Sequence, residues 1–317
     1  MRYIVVFFLL FSTLFAQKLI EPLHIYKVPK GLATDVLYNK GNLYIATDIG
    51  KVDVFSTKTK KETSFIELSK IKDFMGDEID SKIFDIDMLN NTLLILSQDN
   101  GGYSRISFYQ NKKLKQIISQ KDKLNIIQAK FIDKNNILLA LISNDIISYN
   151  IQTKKMNWDT QASMSKFSSF ALNNQHTKVA VGDESGNVHI INVKNGKILK
   201  TLSGQNVDNL FDVDFKNSIV LTGGQDRRAA VFNLKTSSAY YKTSKFFIYG
   251  VGLSPSGKIA AYSCDIHNDI ELFNTRDRES LGKYKATKAV VNGIYFINEK
   301  EFFVHSNSAD VGYYKVK

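Results

Sequence analysis

Aspartate recurs at one position of a repeating pattern. If the repeats form a ring, so do these carboxylates, and such a ring could bind a cation or a basic partner. Each aspartate falls in a polar turn between two apolar runs, where an Asp side chain also caps the turn through its own backbone. The pattern therefore favours a structural role over a binding role. The residues concerned are Asp48, Asp99, Asp145, Asp183, Asp226, Asp265 or Asp269, and Asp310.

Two further groups of residues could bind an anionic group or a metal-bearing partner. Arg227 and Arg228 form the first, and Cys264, Asp265 and His267 form the second, one repeat later. Arginine binds anionic groups well, whereas Cys with His makes an incomplete metal site because no third strong ligand stands at motif spacing. We assign both groups to a partner-binding surface and predict no metal. A buried, inert cysteine is the alternative for the thiol.

The longest departure from regular spacing is a segment of about a dozen extra residues within positions 62–82. Insertions into a regular array often mark function. This one contains Phe74, Met75, Asp77, Glu78 and Asp80, a mixture of apolar and acidic groups that suits protein docking better than small-molecule chemistry. We assign these five residues to the partner-binding surface. A longer, solvated connection is the alternative.

Residues for catalysis are harder to find. The five histidines are spread along the chain, and it has no serine-hydrolase, zinc-protease or phosphate-loop motif. The enzymatic alternative is a calcium-dependent, lactonase-like hydrolase, for which Asp35, Asp85 and Asp212 are the only plausible ligands. We predict a non-catalytic protein with no catalytic residues, no cofactor and no metal.

These residues need elements to position them, and period-2 alternation dominates the chain. A strand that ends in apolar or aromatic residues followed by a polar one recurs with spacings of 54, 40, 42, 41, 41 and 41 positions. A period of 40 to 45 residues with about four strands is typical of propeller blades. The sequence therefore predicts an all-β, seven-bladed propeller over residues 17–317. The last apolar residues of the recurring strands are Phe55, Tyr109, Tyr149, Ile191, Phe232, Phe273 and Tyr314.

The last repeat stops at Lys317, directly after its third strand, and so lacks an outer strand. Residues 23–28 alternate as a strand and precede the first inner strand. An unpaired edge invites aggregation. We therefore predict that this N-terminal strand joins the last blade and closes the ring.

The first sixteen residues are predicted to be a signal peptide. Arg2 supplies the positive start, residues 3–11 are an unbroken apolar run, and Ala16 ends a small-residue cleavage site. This run falls well short of the roughly 20 residues that span a membrane, which disfavours the alternative of an uncleaved anchor. We expect a periplasmic protein without stable membrane insertion.

The formal net charge is +11, a value that can indicate affinity for nucleic acid or anionic membrane. Predicted export argues against nucleic acid. We interpret the lysines as a solvated rim, because they fall in apparent turns and outer strands, where lysine protects exposed β-edges. The single cysteine excludes an internal disulfide. The lysines of this rim are Lys58, Lys60, Lys61, Lys112, Lys113, Lys115, Lys121 and Lys123.

The repeat resembles the WD40 family, whose third strand ends in Trp-Asp. The pairs in that place here are Tyr149-Asn150, Phe232-Asn233 and Phe273-Asn274. The chain has no Gly-His motif, and its one Trp-Asp pair, Trp158-Asp159, lies past the third strand. We therefore expect the buried polar network of typical members to be absent. The resemblance implies one binding face, formed by the turns between second and third strands together with the links between blades.

Over the whole chain, the sequence is similar to the NapL family of accessory propellers encoded with periplasmic nitrate reductase. The similarity rests on the exported start, the insert at residues 71–80, and two turns at residues 223–228 and 263–265. It implies a protein that binds a nitrate reductase component and assists its assembly, maturation or electron delivery. We expect a monomer. An envelope-assembly scaffold is a further alternative, although that family has eight blades and a lipidated cysteine.

Overall fold

Seven antiparallel sheets of four strands each follow one another along the chain. The computed structural model describes residues 19–287 and 289–317, and the predicted signal peptide lies outside these residues. The sheets form the blades of an all-β, seven-bladed propeller, as the sequence predicts. Each blade begins with an inner strand and ends with an outer strand.

The first strand, β1 (His24–Lys27), belongs to the last blade. Blade 1 consists of β2 (Ala33–Asn39), β3 (Asn42–Thr47), β4 (Lys51–Ser56) and β5 (Glu62–Glu67). A short hairpin of β6 (Ile71–Lys72) and β7 (Glu78–Ile79) follows it. Blade 2 consists of β8 (Ile83–Leu89), β9 (Thr92–Gln98), β10 (Ser104–Gln110) and β11 (Lys113–Ile118). Single 3-10 turns span Asn100–Gly102 and Gln120–Asp122.

The next three blades are regular. Blade 3 consists of β12 (Ile126–Phe131), β13 (Asn136–Leu141), β14 (Asp145–Asn150) and β15 (Lys155–Gln161). Blade 4 consists of β16 (Phe167–Leu172), β17 (Lys178–Asp183), β18 (Val188–Asn192) and β19 (Ile198–Leu202). Blade 5 consists of β20 (Leu210–Lys216), β21 (Ile219–Gly224), β22 (Arg228–Asn233) and β23 (Ser238–Thr243).

The last two blades complete the ring. Blade 6 consists of β24 (Val251–Leu253), β25 (Ile259–Ser263), β26 (Ile270–Asn274) and β27 (Ser280–Tyr284). Blade 7 takes three strands from the end of the chain, β28 (Val291–Asn298), β29 (Glu301–Ser306) and β30 (Asp310–Lys315). Its fourth strand is β1.

The N-terminal strand closes the ring, which confirms the predicted closure. β1 pairs antiparallel with β30, with Tyr26 opposite Val311. The Tyr26 side chain is 2% exposed, and its ring packs edge-on against Phe55 of blade 1 and Phe303 of blade 7. One strand therefore joins the first blade to the last.

Apolar side chains fill the spaces between neighbouring blades. Because both faces of most sheets are covered, the second and third strands are buried almost throughout, as in β13 and β14. Between blades 2 and 3 the rings of Phe108 and Phe131 lie 5.1 Å apart. No blade has a core of its own, so stability depends on the complete ring.

A buried polar network is present in two blades, so the expectation that it is absent was wrong. In blade 4, His189 Nε2 lies 3.0 Å from Asp183 Oδ2. In blade 5, Thr222 Oγ1 donates to Asn206 Oδ1 at 2.6 Å, and Asn206 Nδ2 donates to Asp226 Oδ1 at 3.1 Å. An amide both donates and accepts, so Asn206 supplies this connection without a Gly-His motif.

Candidate functional site

The two ends of the propeller differ in their exposed apolar side chains. We call the upper face the end formed by the turns between second and third strands and by the links between blades. The lower face is formed by the other turns. In the described part of the chain, no large apolar residue is exposed within the lower-face turns themselves. Those exposed beside them, at the start of outer strands, are Leu23, Leu114, Met156, Ile198 and Leu199. Exposed ones in or beside the upper-face turns and links are Leu32, Phe74, Met75, Ile127, Ile142, Met164, Val207, Ile266 and Val290.

The insert between blades 1 and 2 holds two of these side chains at the tip of its hairpin. Phe74 and Met75 are 83% and 86% exposed. Asp73 Oδ1 accepts from the backbone N–H groups of Met75 and Asp77 at 2.8 and 2.9 Å. Such a side-chain turn fixes the local backbone. These bonds close the turn that carries the apolar tip, and the exposed side chains of Asp77, Glu78 and Asp80 follow it.

Arg105 of β10 joins the two ends of the insert. The residue is only 9% exposed. Its guanidinium donates to Ser69 Oγ at 3.2 Å and to Ser81 Oγ at 2.8 Å, one on each side of the hairpin. The backbone N–H of Lys72 also donates to Asn100 Oδ1 at 2.6 Å. These bonds attach the insert to blade 2, so it is a positioned element and not merely a long connection.

Replacing Arg105 with leucine should release the insert, because both serine hydroxyls lose the donor that joins them. We expect trypsin to cleave after Lys70 and Lys72 about tenfold faster, since proteolysis follows the population of the locally opened state. Mass spectrometry of the early fragments measures this rate. The matched control is Arg228→Leu in blade 5, which should leave cleavage in the insert unchanged. An unchanged rate in Arg105→Leu would mean that other contacts hold the insert.

A cluster of four half-buried aromatic rings lies at the upper face between blades 5 and 6. The rings of Phe211 and Tyr249 stack with centroids 4.9 Å apart, and those of Phe246 and Phe247 are also stacked 4.9 Å apart. None of these rings is among the residues assigned from the sequence. The signal was the run Lys-Phe-Phe-Ile-Tyr at residues 245–249, which stands in a link between blades and carries more large apolar residues than the core takes up, since only Ile248 of the run is buried there.

The two arginines assigned to the partner surface have different surroundings. Arg227 is exposed, and its carbonyl accepts from Ser244 N at 2.8 Å, which places it beside the link that carries the aromatic cluster. Arg228 is half-buried, lies 4.4 Å over the Tyr241 ring and donates to Gln205 O at 2.8 Å. Arg228 therefore stabilises blade 5, whereas Arg227 is available to a partner.

The assigned turn in blade 6 is only partly exposed. Cys264 is 3% exposed within the core, and burial raises the pKa of its thiol to about 12. A docking partner would not contact this thiol, so its burial removes Cys264 from the surface assigned from sequence. Asp265 Oδ1 accepts from His267 N at 3.0 Å and from Asp269 N at 3.2 Å, which closes the turn. The side chain of His267 is exposed.

The recurring aspartates connect turns to neighbouring links. Asp48 Oδ1 accepts from Leu32 N at 2.7 Å, and Asp226 Oδ2 accepts from Val207 N at 2.9 Å. These bonds support the structural role predicted for the series. Among residues 19–287 and 289–317, no group of three or more His, Cys, Asp or Glu side chains is placed to hold a metal ion.

The aspartates considered for a calcium site join adjacent blades along the central channel. Asp35, Asp85 and Asp212 each accept from a backbone N–H of the next inner strand, at 2.9, 2.8 and 2.9 Å. Lys130 Nζ lies 2.5 Å from Asp85 Oδ1 and 3.8 Å from Asp35 Oδ2. A calcium ion needs six to eight oxygen ligands, and these oxygens already bind amides or an ammonium. The arrangement suits blade-to-blade attachment better than metal-dependent hydrolysis.

Comparison with known proteins identifies the fold and no family. No protein-family model matches the chain, and no curated protein matches it. The β-propeller domain of Cps50 (Swd1) from Myceliophteria thermophila is similar with a TM-score of 0.72 at 11% identity, covering 93% of this chain and 100% of that one. The computationally designed Ika8 protein has a TM-score of 0.65 at 14% identity, covering 90% and 83%. No helix in the described residues is long and apolar enough to cross a membrane.

Proposed function

We propose that this chain is a non-catalytic, protein-binding propeller that docks its partner on the upper face. The observation that carries the proposal is the number of exposed apolar side chains in the turns and links of that face, where Phe74, Met75 and Met164 are 83%, 86% and 90% exposed. Exposed apolar groups on one face mark interaction sites. Aromatic residues, methionine and arginine are also enriched at protein interfaces.

The composition of the face indicates what kind of partner it fits. The tip of the insert is an apolar pair followed by acidic residues, so a complementary surface has an apolar pocket with basic groups at its rim. The aromatic cluster between blades 5 and 6 offers rigid rings at low conformational cost, and Arg227 stands beside it. Two apolar centres on one face suit a folded protein better than a short peptide.

The finer part of the proposal is a periplasmic partner, a component of nitrate reductase whose assembly, maturation or electron delivery is assisted. Its support is the similarity of the insert and of the two turns at residues 223–228 and 263–265 to the NapL family, together with the predicted signal peptide. The docking face and the identity of the partner are separable, and each has its own test.

The double variant Phe74→Ser/Met75→Ser should bind the partner more weakly by about thirtyfold, because truncation of interface hot spots costs about 2 kcal/mol or more. Crosslinking in intact cells during nitrate respiration, followed by identification of the captured proteins, measures the effect. Both side chains are almost fully exposed, so the melting temperature should not change. Arg227→Glu should weaken capture in the same way.

The matched control is Leu23→Ser/Ile198→Ser, which removes two exposed apolar side chains at or beside outer strands and should leave capture intact. Equal capture by wild type and Phe74→Ser/Met75→Ser would refute the docking face. If the variant loses its captured proteins but none of them is a nitrate reductase component, the docking face stands and the named partner is refuted.

A further inference from the structure

Basic side chains are concentrated on the lower face. The turns between third and fourth strands of the first five blades all carry exposed lysines, in or directly beside the turn. The corresponding upper-face turns carry the recurring aspartates instead. Of the rim lysines assigned from sequence, Lys121 and Lys123 lie on the upper face and Lys115 lies within β11. The lower-face lysines are Lys58, Lys60, Lys61, Lys112, Lys113, Lys154, Lys155, Lys194, Lys197 and Lys235.

These charges are not neutralised within the protein. Of the ten lower-face lysines, none forms a salt bridge with another described residue. The equivalent turn of blade 6 is different, because Arg276 and Arg278 alternate there with Asp277 and Glu279. The positive surface therefore covers blades 1 to 5 and is broad rather than confined to a groove.

Apolar side chains stand next to the basic turns in three successive blades. Leu114, Met156 and Leu199 are 43%, 47% and 46% exposed, and each lies within two residues of a turn lysine at the start of an outer strand. Lysines beside exposed apolar side chains are the combination that holds proteins at the surface of an anionic bilayer. A surface that binds through its lysine charges alone would not need these three exposed apolar side chains.

We propose that the lower face of the propeller adsorbs to a bilayer containing anionic phospholipids. A broad surface of lysine point charges matches diffuse headgroup phosphates, whereas single-stranded nucleic acid is bound by aromatic stacking in a basic groove. The lower-face turns carry no exposed large apolar residue in the described chain, so they offer no ring for base stacking. Adsorption in this orientation leaves the upper face free, and it does not depend on the proposed docking function.

Co-sedimentation with vesicles of phosphatidylglycerol and phosphatidylcholine tests the proposal. At low salt the triple variant Lys58→Gln/Lys60→Gln/Lys61→Gln should bind on the order of a hundredfold more weakly, since each lysine near the surface is worth about fivefold. Lys112→Gln/Lys154→Gln/Lys194→Gln, from three other blades, should lose a similar amount. The matched control, Lys30→Gln/Lys70→Gln/Lys121→Gln, removes the same charge from exposed upper-face positions and should bind as wild type.

The apolar contribution has its own variant, Leu114→Thr/Met156→Thr/Leu199→Thr, whose substitutions keep a residue that favours strands. This variant should bind more weakly than wild type even at high salt, where the lysine contribution is screened. Circular dichroism checks that all variants fold. Equal binding to pure phosphatidylcholine vesicles, or no loss in the lower-face lysine variants, would overturn the proposal. Tighter binding to DNA than to vesicles at the same salt would assign the face to nucleic acid and also overturn it.

Discussion

The variant Tyr26→Ala should lose about 3–5 kcal/mol of unfolding free energy, the usual cost of removing a large buried aromatic side chain. Tyr26 lies in the strand that completes blade 7, and its ring fills the space between Phe55 and Phe303. A cavity there weakens the packing between the first blade and the last, to which Val36 and Ile45 also contribute. The total free energy of unfolding of native proteins is about 5–15 kcal/mol, so this loss is a large fraction of the total.

Urea unfolding followed by circular dichroism measures this difference. Ile25→Ala is the matched control, because Ile25 neighbours Tyr26 in the same strand but is 46% exposed, and it should cost less than about 1 kcal/mol. Deleting residues 17–29 should be worse than either substitution, because β30 then has an unpaired edge and the protein should aggregate. If the deletion variant keeps the wild-type melting temperature, the N-terminal strand does not close the ring.

Much of the fold can be predicted from the sequence, because the same strand pattern occurs in every repeat. Regular spacing from Tyr109 to Tyr314 identifies the blades, and the missing outer strand of the last repeat identifies the closure. Register and the partners of polar side chains do not follow in this way. Asn206 joins Thr222 to Asp226 in a buried network, and nothing in its local sequence distinguishes it from a turn asparagine.

The apolar parts of the candidate site were predictable only where they disturb the repeat. The insert that carries Phe74 is visible as extra length, whereas the aromatic cluster around Phe247 fits the spacing and is visible only as apolar residues in a link. Burial separates residues that the sequence groups together. Arg227 is exposed while Arg228 is half-buried, because Arg227 lies in the turn before β22, with a φ of 64°, and Arg228 is the first residue of the strand.

The charge distribution was also hard to predict from the sequence. Along the chain the lysines look scattered, since each blade contributes one or a few of them. The ring brings equivalent turns together at one end, so a minor feature of each repeat becomes a surface of the whole molecule. The polar residues of the inner strands behave alike: each looks like channel lining in sequence, and Asp35, Asp85 and Asp212 together attach neighbouring blades.

Lys130 is the residue in this channel whose loss should cost most. Its Nζ lies 2.5 Å from Asp85 Oδ1 and donates to Ile86 O at 2.8 Å. Burial lowers the pKa of Lys130, but the neighbouring carboxylates of Asp85, Asp35 and Asp87 raise it by more. The pKa of Lys130 therefore lies above its usual value. Lys130→Met leaves those carboxylates without their cation, and breaking a buried pair in this way costs about 3–5 kcal/mol. Urea unfolding at neutral pH should show this loss.

The loss in Lys130→Met should also depend on pH. Burial raises the pKa of Asp85 above its ordinary 3.8 even with Lys130 present, and removing the cation raises it further. Between the unfolded and folded pKa values the folded state binds more protons, so stability falls as pH rises through that range. The deficit should therefore be larger at about pH 8 than at about pH 5.

Lys216→Met is the control that isolates this effect. Lys216 Nζ lies 3.0 Å from Asp214 Oδ1 in the same channel, but this pair is more exposed, and Lys216 is paired with one carboxylate where Lys130 is paired with two. Its replacement should therefore cost less. A deficit in Lys130→Met that is the same at both pH values would mean that the lysine acts through packing of its aliphatic chain. A deficit that grows with pH would mean that the Lys130 ammonium stabilises the closed ring by neutralising the ionised carboxylates in its channel.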